Sequence, residues 1–102
     1  MNEDLSADLF GESGSRPELP PPDFDFLIYS LRLQAEMSLG LLPLGEVQEP
    51  DFDLARHHID LLAMLQLKTK GNLTADEQRA LDNSIVELRF RFVEAQNKHR
   101  AQ

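Results

Sequence analysis

The sequence predicts an all-α fold: a three-helix bundle in which one helix leads through a long loop into an antiparallel helical hairpin, preceded by a disordered, acidic, proline-rich N-terminal tail. Three observations predict it. Apolar residues recur at three- and four-residue steps over three separate stretches. Each stretch opens on a residue suited to cap a helix. The last two stretches are separated only by Gly71-Asn72-Leu73, a link so short that the helices must run antiparallel.

Residues 1–22 form the expected tail. Gly11, Ser13, Gly14, Ser15 and the prolines 17, 20, 21 and 22 alternate with acids, and such a segment cannot bury enough surface to offset its ordering entropy. Within it, Asp4 to Phe10 combines acids with Leu5, Leu9 and Phe10. That composition suits either an unstructured terminus or a nascent helix docking on a partner. The helical domain is expected over residues 23–100.

Pro22-Asp23-Phe24-Asp25 and Pro50-Asp51-Phe52-Asp53 repeat one tetrapeptide, while the residues that follow do not match. The repeat is one device used twice: a proline, then an aspartate whose carboxylate accepts from the free amides of the first turn. The third start, Thr74-Ala75-Asp76-Glu77, is a capping box. Helix one is predicted over about 24–40, helix two over 52–70 and helix three from 75 to near 99, with Gly71 as the left-handed residue that stops helix two. Leu41 to Pro50, with Pro43 and Gly45 inside, is a loop long enough to wrap around the hairpin.

Residues placed at 100° intervals show more apolar surface than a monomeric bundle needs. Helix three has a core stripe (Leu81, Ile85, Leu88, Phe92, Ala95) and a second stripe well away from it (Val86, Phe90, Val93), flanked by Arg79, Arg89 and Asp82. Helix one has a core face of Phe24, Leu27, Ile28, Leu31, Ala35 and Leu39, and an almost opposite one of Phe26, Leu33 and Met37. Its charges, Asp25, Arg32 and Glu36, share one narrow strip beside Tyr29. Helix two carries a broad arc through Leu54, Ala55, Ile59, Leu61, Leu62 and Leu65, with Met64 and Leu67 outside it. Such second stripes exceed the patches that soluble monomers usually expose, so association with itself or with another protein is expected, unless the loop and tail fold back over them.

Composition narrows the partners. The net charge is -8, with 13 acidic and 3 basic residues in 1–60 but 5 acidic and 7 basic in 61–102. An acidic chain repels phosphate backbones and anionic headgroups, so neither nucleic acid nor a membrane surface is expected. The apolar run Phe24 to Leu44 contains Asp25, Arg32 and Glu36, too many charges for a membrane span. There is no cysteine, hence no disulfide or thiolate metal site, and the N-terminus lacks a secretory pattern. A cytoplasmic setting follows as the expectation.

Chemistry finds little purchase. His58 lies in the apolar arc of helix two and reads as a neutral, hydrogen-bonded core residue, with Gln66 available as a partner. Asp53, His57 and Asp60 share one helical face, but three ligands from one short strip rarely close a metal's coordination shell, and Arg56 and Lys68 nearby make a solvated charged face the simpler account. No serine sits in a glycine-flanked elbow, and the scattered glycines form no phosphate loop. No enzyme activity, cofactor, metal or small-molecule substrate is expected.

The run Ile59 to Thr74 (IDLLAMLQLKTKGNLT), with Leu19-Pro20-Pro21-Pro22-Asp23-Phe24 before it and Glu87-Leu88-Arg89-Phe90-Arg91-Phe92-Val93 after it, resembles the bacterial family DUF1844 over roughly residues 19–95. Its most specific part is the turn Lys68-Thr69-Lys70-Gly71-Asn72-Leu73-Thr74. The family has no established activity. Some actinobacterial members are encoded beside a translation initiation factor, so the resemblance implies a housekeeping role near translation. The turn has two readings: Gly71, Leu73 and Thr74 as stop, anchor and cap, or Lys68, Lys70 and Asn72 as a small recognition loop. The expected function is a non-enzymatic helical interaction module, self-associating or partner-binding through Phe26, Leu33, Met37, Val86, Phe90 and Val93. The alternative is an accessory factor of translation that contacts basic ribosomal or initiation proteins through its acidic tail.

Overall fold

The computed structural model describes residues 18–41 and 49–101. Three helices follow one another: α1 (Phe24–Ser38), α2 (Phe52–Lys68) and α3 (Ala75–Arg100), with no strand among the described residues. The Asp4–Phe10 patch and most of the link between α1 and α2 lie outside the described residues.

The caps explain where each helix starts. Asp23 Oδ1 accepts from the amide of Phe26 at 2.9 Å, and Asp51 Oδ1 from that of Leu54 at 3.1 Å, the same first-turn bond after the same proline. The Thr74 hydroxyl accepts from the amide of Glu77 at 3.1 Å while the Glu77 carboxylate accepts from the amide of Thr74 at 2.9 Å, closing the capping box.

Two glycines end α1 and α2. Gly40 has a φ of 74°, which lets the amide of Leu41 reach back to the Glu36 carbonyl and that of Gly40 to Met37, both at 3.0 Å. This six-to-one and five-to-two pair closes the helix at Ser38, two residues before the expected end. Gly71, at a φ of 85°, follows α2, which also stops two residues early, at Lys68. There the amide and hydroxyl of Thr69 both donate to the Leu65 carbonyl, and the amide of Asn72 to the Thr69 carbonyl.

Neighbouring helices run antiparallel. Gln66 near the end of α2 meets Asp82 near the start of α3, while Phe52 at the start of α2 packs edge-on to Phe92 near the end of α3. The amide of Asp51 donates to the Ser38 carbonyl at 2.7 Å, so α2 begins where α1 finishes. Consequently α1 and α3 run parallel, and Arg32 reaches Ser84 and Glu87.

The core lies between the three helices. Ile28 and Ala35 of α1, Leu39 just after it, Ala55, Ile59 and Leu62 of α2, and Leu81, Ile85 and Leu88 of α3 are buried, with Phe24, Leu31, Leu73 and Phe92 packed around them. Two expected core positions differ: Leu27 is 42% and Leu54 44% exposed. Both sit at the margin of their stripes, where helical spacing alone does not say which flank a neighbour covers.

Candidate protein-binding faces

The second stripe of α3 stands in water. Val86 is 66%, Phe90 65% and Val93 53% exposed, and they recur at i, i+4 and i+7, within a strip about 10 Å long at 1.5 Å per residue. A fully buried side chain of this kind contributes about 1.5–3 kcal/mol, so most of that gain remains available to a partner. α3 is amphipathic twice over: Leu81, Ile85 and Leu88 hold it to the bundle, while Val86, Phe90 and Val93 look away from it.

The corresponding face of α1 is weaker. Phe26 and Met37 are about two-fifths exposed, whereas Leu33 between them is half-buried and offers less to a partner than its place on the stripe suggested. Phe26 lies beside Tyr29, with ring centroids 6.5 Å apart. Met64 and Leu67 are exposed on α2, as its spacing predicts.

Between α1 and α3 lies a charged cluster that the sequence did not single out. Arg32 donates to Glu87, to Glu36 at 3.3 Å and to the Ser84 hydroxyl at 3.4 Å, and Arg91 approaches Glu87 at 3.6 Å. Partial burial opposes the charge on Arg32, but the hydrogen bonds from Glu87 and Glu36 outweigh it and raise its pKa further. The Arg32 hydrogen bond and charge hold the Glu87 carboxyl below the usual carboxylate range. The signal available was an arginine alone on the apolar first helix with a glutamate four residues later. The strip containing Asp25, Arg32 and Glu36 is thus not simply solvated: Arg32 faces α3.

On α2, His58 is buried as expected, but its Nδ1 has no hydrogen-bond partner. Gln66 is not that partner. It lies two turns further along α2 and donates instead to the Asp82 carboxylate across the hairpin at 2.7 Å. His58 borders an open groove of about 480 Å³ together with Gln34, Met37 and Leu54. Asp53, His57 and Asp60 are exposed, and Asp53 is 3.9 Å from Arg56. Among the described residues no three His, Asp or Glu side chains are placed to hold a metal ion.

The turn after α2 divides along the two readings. Gly71 supplies the left-handed residue, Leu73 packs against the core and Thr74 caps α3. The side chains of Lys68, Lys70 and Asn72 are exposed and make no hydrogen bond or ion pair among the described residues. No described helix is long and apolar enough to cross a membrane.

No protein of curated function and no solved structure matches this chain. α1, α2, the Lys68–Thr74 turn and most of α3 fall instead inside residues 21–94, which match the model of the domain of unknown function DUF1844, and the chain belongs to that family.

Proposed function

We propose that this chain is a non-enzymatic helical interaction module that binds a protein surface, its own or another's, through the outer face of α3. One observation supports the reading above all: Val86, Phe90 and Val93 form a continuous apolar strip on the side of a helix whose other side is fully engaged in the core. Isolated exposed apolar residues are ordinary on a soluble surface; a helical stripe of them is the pattern by which one helix recognises another. The chain carries no cysteine, which suits a reducing bacterial cytoplasm, where we place it.

Phe90→Glu tests the reading. It sets a charge in the middle of the strip without touching the core, so circular dichroism should show helicity close to native. Light scattering behind size-exclusion chromatography, together with affinity capture from the native cytosol, should show every assembly of the native chain lost. Assemblies that survive the substitution would place the binding face elsewhere.

A further inference from the structure

Resting on that reading, we infer that the partner of the α3 face is a second copy of this chain, joined as a short parallel two-stranded coiled coil. Val86, Phe90 and Val93 continue in both directions at heptad spacing: Asn83 lies seven residues before Phe90 and Asn97 seven after it, both exposed. With Phe90 at an a position, Val86 and Val93 fall at d and the two asparagines at the flanking a positions. An asparagine at a is the side chain that fixes register and oligomer state in a coiled coil. Asn97 Oδ1 accepts from Arg100 of its own helix at 2.6 Å, which leaves its amide N–H groups, and the whole Asn83 amide, for the counterpart in the same layer.

The charges bordering this seam point the same way. In a parallel pair, each g position meets the e position five residues later on the other chain. Arg89 at g would therefore meet Glu94 of the second copy, twice by symmetry. Neither residue has an ion-pair partner within its own chain among the described residues, whereas Glu87 and Arg91 beside them pair with each other and Glu87 also with Arg32. The one repulsive match, Asp82 against Glu87 of the second copy, is relieved in advance. Asp82 already accepts from Gln66 and Gln78, and Glu87 is held by Arg32 and Arg91. An antiparallel pair is disfavoured, since like flanks then meet and Arg89 lies against Arg89 of the second copy. Valine at d pulls toward higher oligomers, and the asparagines decide for two. From Asn83 to Asn97 the seam is about 21 Å long, only two heptads, too short to bury the area of about 1,600 Å² of a standard interface, so the association is reversible and concentration-dependent.

Sedimentation equilibrium of the full chain over a range of concentrations tests this. The native chain should fit a monomer–dimer equilibrium. Arg89→Glu and Glu94→Arg should each raise the dissociation constant at least threefold, while the double exchange should restore it to within about twofold of native. Orientation is read by cross-linking. Because the chain has no cysteine, Asn97→Cys introduces its only thiol, and mild oxidation should yield a covalent dimer, as should Asn83→Cys in its own layer. Mixed disulfides between Asn83→Cys and Asn97→Cys chains in place of the like pairs would overturn the parallel arrangement. A monomer at every concentration, a multiple other than two, or a double exchange that fails to rescue would overturn the inference. A monomer that still captures another protein in a Phe90-dependent manner would leave the broader reading of the face standing.

Discussion

Arg32 sits where α1 meets α3, and its guanidinium serves three acceptors on two helices: Glu36 on its own, Ser84 and Glu87 on the other. The consequence is readable at Glu87, whose carboxyl the Arg32 hydrogen bond and charge hold below the usual carboxylate range. A group whose folded pKa is depressed favours the folded state when ionised, so its contribution is fully present above the unfolded value and is lost as pH falls through the folded one. Arg32, whose pKa is raised, stays charged throughout that window and adds no pH dependence to it. Glu87→Gln should therefore lower the urea midpoint modestly at neutral pH. The gap between native and variant should narrow steadily below about pH 4.5 as the native carboxyl protonates and comes to resemble the amide. A gap that stays constant down to about pH 3 would mean that Glu87 acts through packing rather than charge.

The turn between α2 and α3 is the element on which the hairpin depends, and it separates backbone effects from side-chain effects. Nothing lies within 4 Å of where a Cβ on Gly71 would sit, so Gly71→Ala meets no clash and its cost is that of a left-handed conformation alone, about 1–2 kcal/mol. Thr74→Ala, which removes one half of the capping box, should cost about 1 kcal/mol. The two should nearly add in denaturant titrations if the turn and the cap act separately. These features were legible in the sequence because a cap or a stop is set by residues within four positions of it. The second stripe of α3 was legible for a related reason, as hydropathy with a helical period. Leu27, Leu54 and Arg32 were not, because they lie at stripe margins and only the placement of a neighbouring helix decides what covers them. Asn83, Glu94 and Asn97 were silent too, and Arg89 marked only a flank of the stripe. Polar side chains leave no hydropathy period, and the contrast that marks the two charged ones emerges only once Asp82 and Glu87 are seen engaged within the chain.

At the scale of the whole molecule, a small domain and an exposed seam belong to one thermodynamic problem. Among the described residues the buried apolar core consists of nine side chains, two of them alanines, and a domain of this size buries a smaller share of its surface than a larger one. Net stabilities are small differences between large opposing terms, so burial of Val86, Phe90 and Val93 against a partner is not a marginal addition. Association that requires the folded chain stabilises it by mass action, and the thermal midpoint then rises with protein concentration. For a dimer well above its dissociation constant, a tenfold rise in concentration adds about 1.4 kcal/mol per dimer, or about 3–5 °C for a domain this small. Differential scanning calorimetry of the native chain should show that rise. The Phe90→Glu chain, which keeps the core and loses the seam, should melt at one temperature whatever its concentration. If instead the native midpoint is also independent of concentration, the core and caps alone sustain the fold, and the α3 face contributes nothing to stability until some other protein occupies it.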